Sequence, residues 1–308
     1  MQFLRSSKHW AADSTERRLA GRMVAPALIL MAAIAGYPIL YAIWLSLHQY
    51  SIITPGLSRF VGLANYTEQL TSRAWWDAVG HTFLFTAISV PLELVIGTGI
   101  ALLLNIAFRF RTLLRSVVLL PYAILTVVSA ITWRTIFDPN LGLVSTLLSS
   151  MGITGNNVVW LGQDGYAMTV VVLADVWKTA PFVALLVLAG LQVIPAELRE
   201  ASQLDGAGAF RHFWSVTLPL LWPAIALAMI FRTLDALRVF DLPFVLTRGA
   251  HGTDTMSILA YQTLRGKQLI GEGSAVSILT FVIVMLVSFV YIRFAGGNIR
   301  SVVKGGSR

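Results

Sequence analysis

Apolar residues gather in six long runs, at about 24–47, 82–107, 116–137, 168–194, 219–245 and 274–295, with polar pieces between them. Each run reaches the ~20 residues that carry a helix across a bilayer. The runs are continuous, whereas the strands of a membrane barrel alternate with period two. The pattern therefore predicts an all-α integral membrane protein. It divides the chain into a polar N-terminal segment (1–23), a six-helix transmembrane domain (24–295) and a basic tail (296–308). Pro38, Pro91, Pro121, Pro181, Pro223 and Pro243 fall inside the runs. Each removes a helix donor and favours a kink that a membrane bundle accommodates.

Composition agrees. The 308 residues are 56% hydrophobic and 12% charged, whereas soluble domains hold about 45–50% and 25%, which excludes a soluble globular enzyme. In so apolar a chain the net charge of +8 sets membrane orientation and does not mark nucleic-acid binding. With the N-terminus in the cytoplasm, fourteen Lys and Arg fall in the inner pieces, counting Arg293 at the inner end of the last run, and five in the outer loops. The bias predicts that both termini are cytoplasmic. The first run is too long for the ~7–15-residue core of a signal peptide, so it reads as an uncleaved span. The chain has no cysteine, hence no disulfide or thiolate metal site. Its five histidines form no metal-binding pair. Trp75, Trp76 and Trp160 in the outer loops read either as interfacial anchors or as a docking surface.

One segment, 195–218, is too charged to span the membrane. Pro195 opens it, Leu198, Ala201 and Leu204 make an apolar stripe, and Asp205-Gly206 breaks the helix. A second short stretch carries Phe210, Phe213 and Trp214 and ends at Leu218-Pro219. Composition describes two short helices bent about a glycine, either resting on headgroups or docking to a partner.

The run Glu200-Ala201-Ser202, Asp205-Gly206-Ala207, Phe213, Val216, Leu218-Pro219 resembles the EAA motif of ABC-importer permeases. Only Ser202 departs, where that family usually has Ala. Gly62-Leu63-Ala64-Asn65-Tyr66 and Phe240-Asp241 through Leu246-Thr247-Arg248-Gly249 are similar to motifs of the carbohydrate-uptake (maltose/trehalose-type) permeases. The runs 175–182 and 231–236 look like the first permease of trehalose-type importers. The resemblance implies a type I importer permease in a bacterial or archaeal cell membrane. Its implied partners are a second homologous permease, two ATPase subunits and an extracytoplasmic sugar-binding (lipo)protein. It also implies that Glu200, Ala201, Asp205, Gly206, Ala207, Phe210 and Phe213 couple to the ATPase. The chain has no GxxxxGK[ST] phosphate loop. No cofactor is expected on it, and ATP and Mg belong to the partner ATPase.

Ionisable residues inside spans cost ~2.5–3.5 kcal/mol each and are functional candidates by default. Glu93, Arg134, Asp175, Lys178, Arg232, Asp235, Arg238 and Asp241 qualify. At ~1.5 Å per residue, Glu93, Lys178 and Arg232 fall in the middle third of a ~30 Å core. Arg232, Asp235, Arg238 and Asp241 alternate in sign every three residues, so they can neutralise one another along one helix face. Alternatively this stripe, with Trp133, Trp177 and Thr179, lines a hydrated sugar cavity. The balance of cations and acids favours a neutral polar solute over a polyamine. No catalytic dyad supports a membrane enzyme, and a secondary transporter would leave 195–218 unexplained.

Overall fold

The structure, a computed structural model, describes residues 14–54, 56, 58–106, 110–152 and 158–305. The first thirteen residues of the N-terminal segment, residues 306–308 of the tail and the side chain of Ala201 lie outside the described parts. In chain order, α1 (Ser14–Ser46) leads into a hairpin of β1 (His48–Gln49) and β2 (Arg59–Phe60). Helices α2 (Ala64–Thr71), α3 (Arg73–Asn105), α4 (Arg111–Ala123), α5 (Thr126–Ile136), α6 (Leu143–Ser150) and α7 (Tyr166–Val193) follow. Then come α8 (Ala196–Leu204), α9 (Ala209–His212), α10 (Leu218–Ala236), α11 (Asp241–Thr247), α12 (Met256–Tyr261) and α13 (Ile270–Gly305).

Among the described residues five helical stretches are long and apolar enough to cross a membrane. They correspond to the first, second, fourth, fifth and sixth apolar runs. The third run is a pair, Leu113–Ala123 and Thr126–Ile136, bent by 89°. Ile124 and Leu125 take extended backbone at the bend, just beyond Pro121, which cannot donate to the preceding turn. The fifth run also departs from a single rod. Its helix ends at Ala236 and resumes at Asp241, so Arg238 and Asp241 do not share a helix face with Arg232 and Asp235. At its other end Pro219 does not start the helix. A wide π turn over Phe213–Thr217, closed by Leu218 N–H on the Phe213 carbonyl, joins α9 to α10 without a break.

Helix α3 starts at Arg73, so Trp75 lies in its first turn. There it is buried against Met256, Leu259 and Val276. Trp75 is a core residue, not an anchor or a docking side chain; Trp76 beside it is exposed and donates to the Leu70 carbonyl at 2.8 Å. Asn65 is structural too. Its amide donates to the carbonyls of Ser46 (2.7 Å) and His48 (3.1 Å), and Tyr66 OH meets Ser46 Oγ at 2.6 Å. The pair pins the hairpin to the end of α1.

The core is built around α7. Of its apolar window 72% is buried, against none for α1, which lies outermost. Helices α3, α7 and α10 pack side by side through two apolar clusters. One holds Phe85, Val90, Met168, Val172 and Leu242, and the other Ala101, Val183, Val187, Leu221 and Ala228. Lipid offers no hydrophobic drive between helices, so close approach depends on small residues. A Cβ on Gly97 would sit 2.7 Å from the Val183 side chain, and one on Gly190 would sit 2.5 Å from Ala224 Cβ. Gly97→Ala and Gly190→Ala should each cost ~1–3 kcal/mol by overpacking and lower the thermal aggregation midpoint of purified protein. Gly99→Ala, facing open space, should leave it unchanged; equal behaviour of all three would show that the helices are not in this contact.

Candidate translocation pathway and coupling segment

Between the two apolar clusters sits a buried ionic clamp. Arg232 on α10 reaches Glu93 on α3 through two hydrogen bonds, Nε to Oε2 and Nη2 to Oε1, the latter at 2.9 Å. Its Nη2 also reaches Asp175 Oδ2 on α7 at 3.0 Å, and Nη1 reaches Asp235 one turn along its own helix. A guanidinium has five donors in a rigid fork, which suits several carboxylates at once. Glu93, Asp175 and Arg232 are all buried. Of the expected helix-face pairs only Arg232–Asp235 forms; the other two partners come from different helices. The clamp sets one guanidinium among three carboxyl groups. Asp235 is the member that opens outward, its side chain 67% exposed.

Lys178, three residues after Asp175 on α7, is turned toward the α4–α5 bend. Its Nζ donates to the Ile124 carbonyl at 2.6 Å and approaches that of Tyr122 at 3.4 Å. It lies 5.9 Å from the Tyr122 ring centre, within cation–π range. Carbonyls freed at a break inside the bilayer have no water to turn to, and this ammonium satisfies them. Thr179 bonds its own helix, donating to the Asp175 carbonyl. Trp133 and Trp177 meet edge to face at 6.0 Å, and Trp177 is partly exposed. Arg238 and Asp241 are exposed on the turn and at the start of α11. Arg238 Nε caps the Leu234 carbonyl at 3.1 Å and borders a groove of about 490 Å³ with Phe240, Tyr261 and Thr280. The ten pathway candidates thus separate. Glu93, Asp175, Lys178 and Arg232 hold helices in place and Thr179 is buried on its own helix, while Trp177, Asp235, Arg238 and Asp241 face open space, with Trp133 half-buried behind Trp177.

At one end of α7, residues 196–217 form an elbow. Helix α8 ends at Leu204, and just beyond it Gly206 has φ +72°, with Ala207 N–H bonded to the Ser202 carbonyl at 3.0 Å. A left-handed residue followed by that backbone bond is a Schellman cap, which turns the chain sharply out of a helix. Ser202 Oγ and His212 Nδ1 are 2.5 Å apart, a hydrogen bond that ties α8 to α9 across the bend. Ser202, the one departure from the motif, thus has a role that Ala would lack. Glu200 and Asp205 are exposed, Ala207 and Phe213 half-buried. Leu204 is 89% and Phe210 78% exposed. Neither His212 nor the Tyr122 and Ile124 carbonyls carry any local sequence signal.

Residues 61–302 match the family described as binding-protein-dependent transport system inner membrane component. The chain is 43% identical over 281 residues to the trehalose transport system permease protein SugA of Mycobacterium tuberculosis (strain ATCC 25618 / H37Rv), covering 91% of this chain and 90% of that protein. It is 42% identical over 280 residues to the trehalose/maltose transport system permease protein MalF of Thermococcus litoralis, covering 90% and 94%. The fold is shared with a chain of the bacterial alginate ABC transporter in complex with alginate pentasaccharide-bound periplasmic protein. That likeness has a TM-score of 0.79, 22% identity, and covers 93% of this chain and 96% of that one. The chain belongs to the binding-protein-dependent transport permeases. It is a membrane transport subunit, not an enzyme.

The clamp makes a stability prediction. Arg232→Leu leaves two buried carboxylates facing each other and should cost ~3–5 kcal/mol, read as loss of folded protein after detergent extraction. Adding Asp235→Leu should not restore it, because Glu93 and Asp175 remain. Asp235→Asn alone should extract normally. Normal stability of Arg232→Leu would show that the clamp does not hold α3, α7 and α10 together.

Proposed function

We propose that this chain forms half of the translocation pathway of an ATP-driven disaccharide importer, for a trehalose- or maltose-type sugar, with both termini cytoplasmic. The observation that carries the reading is the elbow. A rigid, capped, hydrogen-bonded bend presents Leu198, Leu204, Phe210 and Trp214 to solvent, and nothing in the described chain covers them. Apolar side chains on an otherwise charged segment fit a groove on a second protein, as expected for a separate ATPase. Glu200 and Asp205 supply the polar rim.

The geometry supports a rocking mechanism. The elbow joins the end of α7 directly to the start of α10, and the clamp joins α7 and α10 to α3. Closure of two ATPase subunits on ATP then moves the three helices as one body. A second permease opposite this one completes the cavity. Asp235 and Trp177 offer what a neutral sugar needs there, a hydrogen-bond acceptor and an aromatic face. The sugar class rests on the SugA and MalF relatives, 43% and 42% identical, both named for trehalose transport.

The elbow gives two expectations. A Cβ at Gly206 meets no neighbour, so only the left-handed backbone penalises a substitution. Gly206→Val should cost ~1–2 kcal/mol of elbow geometry and cut uptake of labelled trehalose or maltose roughly tenfold, whereas Gly206→Asn, which tolerates that conformation, should keep most of it. Leu204→Asp with Phe210→Ser should abolish co-purification of the ATPase while membrane insertion persists. Retained ATPase association would leave the elbow as an interfacial helix pair. Reporter fusions after Arg308 and within 138–167 should read cytoplasm and exterior respectively; a reversed result overturns the orientation.

A further inference from the structure

Helix α8 presents Leu198 and Leu204 to solvent, yet the chain holds this helix by a joint at each end. Before it, Ile194 takes extended backbone and Pro195 follows. After it, residues 205–208 separate α8 from α9 and include two glycines, Gly206 and Gly208, the residue type with the widest backbone freedom. None of the three apolar clusters includes a described α8 side chain. A helix jointed at both ends and unpacked swivels unless polar bonds stop it.

Ser202 supplies two of them. Its carbonyl accepts the Ala207 N–H that closes the bend, and its buried hydroxyl meets His212 Nδ1 at 2.5 Å. Among the described residues this is the side-chain hydrogen bond that joins α8 to α9. His212 itself is firmly placed. Its backbone N–H bonds to the Gly208 carbonyl at 2.9 Å, and Ala209–Ala236 is one helical stretch. That stretch carries Arg232, the centre of the clamp. The apolar surface of the elbow is therefore split. Leu198 and Leu204 lie on α8, whereas Phe210 and Trp214 lie on the stretch that continues into α10. A groove that grips both halves moves α10 fully only when the angle between them is fixed.

A histidine-activated serine nucleophile is the competing reading of the pair. It needs access to substrate and a third group to orient the ring. Ser202 is buried, and among the described residues no carboxylate bonds His212. The family motif usually has Ala at this position, which has no hydroxyl to offer, so the bond is a feature of this chain's own sequence.

We propose that Ser202 and His212 are positioning residues whose hydrogen bond fixes the elbow angle and so sets how much sugar is moved per ATP hydrolysed. The proposal rests on the importer reading and adds to it the residues that determine coupling efficiency. Without the bond, α8 swivels on its two joints as the ATPase subunits close, and hydrolysis proceeds with less movement of α10.

The test uses the complete importer in liposomes, with its own ATPase and sugar-binding protein and labelled trehalose or maltose as the probe. Uptake and phosphate release are measured together, and their ratio is the readout. Ser202→Ala should lower the sugar moved per phosphate about threefold, the scale of one modest hydrogen bond, while the ATPase still co-purifies and sugar still stimulates hydrolysis. His212→Leu should give the same loss, and the double variant no further loss, because both changes remove one shared bond. His212→Asn, whose amide takes the place of Nδ1, should keep most of the ratio. A purely structural bond would reduce the amount of assembled importer and leave the ratio unchanged; that result overturns the proposal and leaves the importer reading intact. Loss of ATPase co-purification in Ser202→Ala would make the pair part of the docking surface and overturn the proposal as well, as would additive losses in the double variant. Wild type that moves neither sugar would overturn the importer reading itself.

Discussion

A guanidinium at mid-bilayer depth has no water to solvate it, so Arg232 can exist there only with carboxylates drawn around it. Glu93, Asp175 and Asp235 supply them, from three helices. The consequence is mechanical. Helices α3, α7 and α10 meet at one charged point with an apolar cluster on either side, and glycines bring their backbones close. Slippage of any one of the three would expose a charge to hydrocarbon. The same economy governs Lys178, whose ammonium takes the carbonyls freed where α4 turns into α5. Charges in this membrane domain serve first to join elements that lipid alone would not hold together.

That joint connects the two ends of the molecule. On one side the elbow runs from α7 into α10 with its bend capped at Gly206 and braced by Ser202 and His212. On the other, the 248–252 turn, with positive φ at Arg248, Gly249, His251 and Gly252, lies beside the end of α5. Under the proposed coupling, force applied at the elbow would pass to three helices joined by the clamp. Asp235 links this frame to open space: it is bound to Arg232 yet mostly exposed, so a polar solute reaching it also touches the clamp.

The apolar runs disclosed the helices because length and continuity are local properties. The elbow was legible for the same reason, since its cap, bend and apolar positions lie within about twenty residues. What escaped were features fixed by distant partners. The break after Ala123 is stabilised by Lys178, 54 residues away from Ile124, and apolar composition on both sides masks it. The spacing of Arg232, Asp235, Arg238 and Asp241 pointed to one self-paired stripe, but the helix ends at Ala236 and Arg232 spends most of its donors on other helices. Trp75 read as an outer-loop aromatic because α3 continues nine residues beyond the apolar run, where amphipathic turns pack on α12 and α13.

The central claim is that α3, α7 and α10 form one rigid body during transport. The chain contains no cysteine, so spin labels can be placed cleanly at exposed positions. One pair, Trp76→Cys with Val193→Cys, spans α3 and α7; another, Tyr166→Cys with Leu220→Cys, spans α7 and α10. Pulsed electron–electron distances would be measured in the reconstituted importer, without nucleotide and with ATP trapped on a hydrolysis-deficient ATPase. The account predicts the same distance distribution for each pair in both states, while a label at Leu204 shifts relative to the second permease. A change in the α3–α7 or α7–α10 distance on ATP binding would contradict it.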